Sequence, residues 1–148
     1  MVTAARVGPR DSDGRDRFRV ELHTDLSKVG YVVEAVINCC NTVAAVSTRT
    51  QFRLCTVVAE AVANAMVNGN RNDPNRLVVV EVEVGADSIV IAVSDEGDGF
   101  DHRLMPDPTH DTLLAATRGR GLFMIRSLAD HVSFNDRGNT IWMTLPRC

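Results

Sequence analysis

The chain has 148 residues, of which 45% are hydrophobic, with 16 basic and 19 acidic side chains and a net charge of −3. This length and apolar fraction suit one domain with a single core, and the charge balance gives no support for direct binding to nucleic acid or to an anionic membrane. The N-terminus lacks the apolar stretch of a signal peptide, and no run approaches the ~20 apolar residues of a membrane span, so we expect a cytoplasmic protein.

The beginning of the chain predicts a tail and one strand. Residues 1–16 mix Gly, Pro, Asp and Arg without periodicity, so we expect a flexible tail followed by one domain over residues 17–148. Phe18, Val20 and Leu22 alternate with charged residues, which is typical of a half-buried strand.

Two helices are expected next. Apolar residues at helical spacing predict a first helix from Asp25 to about Val46 and a second from about Thr50 to Asn68. Five residues of the second helix recur at steps of three and four and predict its buried seam. They are Phe52, Cys55, Ala59, Val62 and Met66. The sequence NGNRNDPN then supplies the Gly, Asn and Pro that end helices and form turns.

The second half of the chain predicts two hairpins separated by a loop and a helix. Two β-branched runs, Leu77–Val84 and Ser88–Ser94, predict the first hairpin. Residues 101–118 contain two prolines and no sustained period, which predicts a long loop or lid. A helix over residues 119–130 and strands near Val132–Asn135 and Thr140–Leu145 complete the chain. This order predicts an α+β fold, a two-layer α/β sandwich whose helices cover one face of a largely antiparallel sheet.

Three polar residues, Glu60, Asn64 and Asn68, recur at four-residue steps on the second helix and therefore point to one side. The helix is otherwise apolar nearly all round, and no Lys or Arg lies between Leu54 and Gly69. A solvated face would carry such residues, so this pattern favours a stripe that lines a cleft. Carboxylate and amide oxygens suit Mg²⁺ that is shared with substrate phosphates, and a carboxylate one turn away can act as a general base.

The sequence DEGDGFD follows a predicted strand and contains Asp95, Gly97 and Gly99. An EF-hand loop needs acids or amides at its first, third and fifth positions, so the two glycines exclude that type of calcium site. Two interpretations remain. The segment is either a plain surface turn or a ligand loop in which Asp95 accepts a hydrogen bond from an exocyclic amine such as that of adenine.

The sequence GRGLFM is expected to open a helix, whose N-terminus would form a phosphate site. It is not a dinucleotide fingerprint, because Met124 replaces the third glycine, and the chain contains no P-loop motif. Arg118 and Arg120 flank the turn and either add positive charge for phosphates or are ordinary solvated side chains.

In this order, EAVANAMVNGN, DEGDGF and GRGLF resemble the N-box and the two glycine boxes of the GHKL ATPases, the group of gyrase, MutL and histidine kinases. The chain is most similar to the small anti-sigma-factor serine kinases of bacteria. The resemblance covers roughly residues 17–146 and implies the Bergerat-type ATP-binding form of the predicted sandwich.

The resemblance implies a role for each matching position, with ATP and Mg²⁺ as cofactors. Glu60 would be the general base toward a substrate serine, Asn64 would bind Mg²⁺, and Asp95 would recognise the adenine amine. The remaining positions implied to bind nucleotide are Asn68, Gly97, Gly99, Arg118, Gly119, Arg120, Gly121, Leu122 and Thr140.

Two positions depart from the pattern of these kinases. Asn68 stands where they usually have His, which keeps a hydrogen-bonding group and removes a titratable one. The sequence GNT replaces the commoner GT before the last strand, so the match of Thr140 is weaker than that of Asp95.

The expected function is an ATP-dependent protein serine/threonine kinase that acts as an anti-sigma factor. Its implied partners are a sigma factor, a STAS-type anti-anti-sigma protein that it phosphorylates, and a second copy of itself in a homodimer. The alternative is an ATP-binding module that switches partners without catalysis.

Overall fold

The computed structural model describes residues 2–10, 12–99 and 116–147, with only the backbone described for residues 116–120. The strands are β1 (Thr3–Arg6), β2 (Asp16–His23), β3 (Leu77–Val84), β4 (Ser88–Asp95), β5 (His131–Phe134) and β6 (Thr140–Pro146). The helices are α1 (Val29–Val43), preceded by a 3-10 turn (Leu26–Lys28), α2 (Thr48–Asn64), continued by a π-helical turn (Ala65–Gly69), and α3 (Ala116–Leu128).

The described strands form one sheet in the order β1-β2-β3-β4-β6-β5, and each neighbouring pair is antiparallel. Val20, Val80 and Val93 lie side by side in this register and are buried, as are Ile91 and its neighbour Met143. Their face packs in one core with the buried residues of the helices. The predicted α+β fold, with helices covering an antiparallel sheet, is therefore confirmed.

The first strand lies within the segment for which we expected a flexible tail. Thr3–Arg6 pair with β2 as the edge strand, so part of residues 1–16 belongs to the sheet. All four residues of β1 are exposed, which leaves no apolar alternation to signal a strand. The strand β1 is held instead by backbone pairing with β2. In addition, the buried carboxylate of Asp16 accepts hydrogen bonds from Arg6 in β1 and from Arg10.

Asp16 should make the attachment of this edge strand depend on pH. The Arg6 guanidinium, helped by Arg10, lowers the pKa of this carboxyl below its usual 3.8. A lowered folded-state pKa adds stability above pH 3.8, and this contribution is lost as the pH falls through the folded-state value. Asp16→Asn should therefore unfold more easily than wild type in urea at pH 7, with the difference shrinking below pH 4. Equal urea concentrations at the midpoint of unfolding for Asp16→Asn and wild type at pH 7 would contradict this role of Asp16.

The predicted buried seam of the second helix is partly wrong. Phe52 is 66% exposed, whereas Leu54, Val58 and Ala61 are buried. At about 100° per residue, the buried arc is centred between the predicted seam and the polar stripe. The polar stripe of α2 therefore lies at the border of the core. Its side chains Glu60 and Asn64 are close to the neighbouring helix α3.

No helix in the described ranges is both long enough and apolar enough to cross a membrane.

Candidate functional site

A cleft lies between the sheet and the helices α2 and α3. Among the residues whose side chains the structure describes, four of the predicted site residues line it, namely Asn64, Asp95, Leu122 and Thr140. Its apolar walls come from residues of both layers, namely Ala61, Ala65, Val93, Ile125, Phe134 and Ile141. The cleft thus combines apolar surfaces with a few polar groups, as ligand sites commonly do.

The polar stripe of α2 faces α3 at Gly121. A Cβ atom at Gly121 would lie 2.9 Å from Oε2 of Glu60 and 3.0 Å from Nδ2 of Asn64. Both polar side chains are half-buried. Because glycine has no side chain, α3 lies close to both groups at Gly121, and Glu60 and Asn64 both approach this position beside the cleft.

Asn68 lies on the π-helical turn that continues α2, where the N–H of Asn70 donates to the carbonyl of Ala65 over 2.7 Å. Its Nδ2 is 3.5 Å from Oδ1 of Asn64, at the outer limit for a hydrogen bond. The extra residue in this turn changes the direction of the stripe after Asn64. Single π turns of this kind occur frequently at functional sites.

Asp95 ends β4 and starts a tight turn. Its Oδ1 accepts a hydrogen bond of 2.8 Å from the N–H of Gly97, and its own N–H donates to the carbonyl of Asn139 over 3.0 Å. These two bonds fix the side chain and the backbone of Asp95. The turn is thereby held in place at the wall of the cleft.

Two glycine contacts hold this turn against the end of α2. A Cβ atom at Gly97 would lie 2.1 Å from the carbonyl oxygen of Gly69, and a Cβ atom at Gly69 would lie 2.2 Å from Oδ2 of Asp95. Neither position accepts a side chain without displacement of its neighbour. The sequence motif predicted Gly97 but gave no role to Gly69, because that role depends on a contact between distant segments.

Gly99 has a φ of +81°, which disfavours other residues, and a Cβ atom there would lie 1.7 Å from the carbonyl oxygen of Arg137. The loop after Asp95 therefore packs directly on the β5–β6 turn. The conformation requires glycine for reasons of backbone geometry, whatever else the loop binds.

Thr140 is next to Asp95 in the sheet, because it pairs with Ser94. The hydroxyl groups of Thr140 and Ser94 are 2.9 Å apart and share a hydrogen bond. Asn139, which the sequence marks only as a departure from the family pattern, lines the cleft and donates to the carbonyl of Gly97 over 3.3 Å. The sequence GNT therefore contributes two side chains to this wall.

Arg118, Gly119 and Arg120 lie on α3, but the structure describes only the backbone of these three residues, so their predicted roles remain predictions. The expectation that GRGLFM opens this helix was wrong, because α3 begins at Ala116. Most of the predicted lid at residues 101–118 also lies outside the described residues.

The residues of the cleft fit an adenine nucleotide. Apolar walls can hold the base, and the Asp95 carboxylate can accept a hydrogen bond from its amine. Within the described parts of the chain, no group of three His, Cys, Asp or Glu residues could hold a metal ion by itself. Mg²⁺ suits such a site, because it needs only one or two protein oxygens when phosphates and water complete its octahedron.

The chain matches the family model of the histidine kinase-like ATPase domain over residues 20–145. It is similar to a protein named anti-sigma F factor from Oceanobacillus iheyensis, with 33% identity over 94 residues that cover 60% of this chain and 64% of that protein. It is also similar to a serine-protein kinase RsbW from Staphylococcus aureus, with 35% identity over 95 residues that cover 59% of this chain and 60% of that protein. The match therefore spans less than two thirds of the length of these relatives.

Proposed function

The chain belongs to the histidine kinase-like ATPase domain family, and on that basis we propose that it is an ATP- and Mg²⁺-dependent protein serine kinase that also acts as an anti-sigma factor. Its substrate would be a serine of a STAS-type anti-anti-sigma protein, and it would sequester a sigma factor as a homodimer. The names of the two similar proteins support this pair of activities.

The observation that carries the catalytic part is the meeting of Glu60 and Asn64 beside Gly121. The Glu60 carboxylate and the Asn64 amide both lie within 3.0 Å of the place that a Cβ atom would take at Gly121, next to a cleft that Asp95 lines. A nucleotide site needs a base-recognising group and a phosphate-proximal metal ligand. A kinase needs in addition a base for the incoming hydroxyl group, and Glu60 supplies it.

Each residue has a separate task in this proposal. When bound, ATP would supply the γ-phosphoryl group, and Mg²⁺ would neutralise the negative charge of the phosphates during the transfer. Asn64 would provide an oxygen to the metal, and because its amide is neutral the ion would keep most of its charge for the phosphates. Glu60 would accept the proton of the serine hydroxyl group as the serine oxygen bonds to the γ-phosphorus and the bond from that phosphorus to the bridging oxygen breaks, with ADP as the leaving group.

Asp95 would recognise the adenine amine, since a carboxylate accepts hydrogen bonds and cannot donate one to the carbonyl that guanine presents at the equivalent position. The hydrogen bond between the hydroxyl groups of Ser94 and Thr140 links β4 to β6 directly beside Asp95. Recognition of the base and transfer of the phosphate thus involve different residues of one cleft.

The test combines binding with phosphate transfer. Purified protein should bind Mg·ATP by titration calorimetry and should transfer phosphate to a serine of a STAS-domain protein from the same organism, as detected by mass spectrometry. It should also co-purify with a sigma factor until the unphosphorylated STAS protein is added. If the protein binds ATP and sequesters a sigma factor but phosphorylates no STAS protein, it is a partner-switching module without catalysis, and the kinase proposal is wrong.

A further inference from the structure

Asn70 is a buried amide that no sequence motif marks as a ligand-binding residue. It lies directly after the π-helical turn and has an exposure of 0%. Its Nδ2 donates to Oγ1 of Thr24 over 2.9 Å and to the carbonyl of Leu77 over 3.0 Å. These two bonds tie the end of β2 to the start of β3, and they would be enough to explain a purely structural residue.

The remaining polar atom of Asn70 has a different partner. Its Oδ1 accepts a hydrogen bond of 2.8 Å from the N–H of Glu96, the residue between Asp95 and Gly97. The carboxylate of Glu96 in turn accepts from the N–H of Leu77 over 3.0 Å. One buried side chain is thus bonded to the core on one side and to the Asp95–Gly97 turn on the other.

The turn is held from a second direction as well. Asn139 donates to the carbonyl of Gly97 over 3.3 Å, while Gly69, which precedes Asn70, contacts both Asp95 and Gly97. Asn139 approaches from the partly exposed side of the cleft and Asn70 from the buried core. Of these two amides, only Asn70 connects the turn to the segment that continues α2, the helix that carries Glu60 and Asn64.

We propose that Asn70 is a positioning residue for adenine nucleotide binding, which fixes the Asp95–Gly97 turn to the end of α2 before the nucleotide arrives. This inference rests on the proposed function of the cleft. The hydrogen bond to Glu96 sets the position of the neighbouring Asp95 carboxylate relative to the helix that bears Asn64. Base recognition and metal binding are then parts of one rigid unit, which lowers the ordering cost of binding.

The experiment compares two variants that both lose the hydrogen bond between Asn70 and Thr24. Asn70→Ala removes all three hydrogen bonds of the amide, whereas Thr24→Val removes the core-side acceptor and leaves the bond to Glu96 intact. Affinities for Mg·ADP and Mg·GDP are measured by calorimetry at a temperature where circular dichroism shows both variants folded. Asn70→Ala should weaken Mg·ADP binding at least tenfold and reduce the preference for ADP over GDP. Thr24→Val should lower the unfolding temperature but change the Kd for Mg·ADP less than twofold.

A second measurement uses the wild-type chain, so it does not depend on the folding of Asn70→Ala. If Asn70 presets the turn, hydrogen exchange should show protected amides at Glu96 and Gly97 in the nucleotide-free protein. Exchange at the rate of an unstructured peptide until nucleotide is added would overturn the proposal.

Further outcomes separate this inference from the proposed function. If wild type binds Mg·ADP but Asn70→Ala binds it equally well, or if Thr24→Val weakens binding as much as Asn70→Ala, only the role of Asn70 is wrong. If wild type binds neither nucleotide, the proposed function of the cleft is wrong and this role with it.

Discussion

Glu60→Gln should bind Mg·ATP like wild type and transfer phosphate about 10²–10⁴-fold more slowly, because the amide cannot accept the proton of the serine hydroxyl group. Glutamine has nearly the same size and shape, so the close contact with Gly121 and the packing of α3 on α2 should persist. The measurement is the initial rate of phosphoserine formation in the STAS protein at saturating Mg·ATP, with the Kd for Mg·ATP determined in parallel.

The matched control is Glu34→Gln, which removes a carboxylate from an exposed position on α1. It changes the net charge of the protein by the same amount and should leave both the rate and the Kd unchanged. A Glu60→Gln variant that transfers phosphate at the wild-type rate would exclude Glu60 as the base. A variant that loses nucleotide binding together with transfer would instead give Glu60 a role in holding the site together.

Gly69→Ala should weaken nucleotide binding at least tenfold, an effect that the sequence motifs do not predict. The added methyl group would lie 2.2 Å from Oδ2 and 2.6 Å from Oδ1 of Asp95. The carboxylate must rotate away to relieve this overlap, and a charge-assisted hydrogen bond of the kind it would make to the base is worth about 1.5–3 kcal/mol. Calorimetric titration with Mg·ADP measures the loss.

Gly30→Ala provides the control for this variant. Gly30 lies on α1, and a Cβ atom there would have no atom of another element within 4 Å, so alanine fits at this position. The folding stability of the variant should equal or slightly exceed that of wild type, by less than about 1 kcal/mol, and its Kd should be unchanged. Unchanged nucleotide affinity in Gly69→Ala would mean that the Asp95 carboxylate does not take part in binding.

Sequence periodicity was sufficient to predict most of the fold. The β-branched runs Leu77–Val84 and Ser88–Ser94 predict two strands, and the structure has both, as Leu77–Val84 and Ser88–Asp95. Periodicity could not reveal β1, whose residues are all exposed and whose pairing depends on backbone hydrogen bonds and on Asp16. It also misplaced the buried face of α2, since a helix that packs on two neighbours has apolar residues on more than one side.

The sequence predicted the site residues that lie together on one helix. It did not predict the residues that join the site through contacts between distant segments of the chain. The four-residue spacing placed Glu60 and Asn64 on one side of a helix, and the structure brings both to Gly121. The parts played by Gly69, Asn70 and Asn139 come from contacts with a turn that is distant in sequence. No local pattern encodes such contacts, so a single sequence does not reveal them.

The position of β6 between β4 and β5 has a consequence for how this protein folds. The strand that follows β5 in the chain must insert beside β4, far earlier in sequence, before Thr140 and Ile141 complete the wall of the cleft. Pairings between such distant segments form slowly, because the entropy of closing the intervening loop is lost first. During synthesis, a chain that has emerged only as far as β5 therefore has the helix that carries Glu60 but not its complete nucleotide cleft, and ligand binding can stabilise the domain only after the last strand has docked.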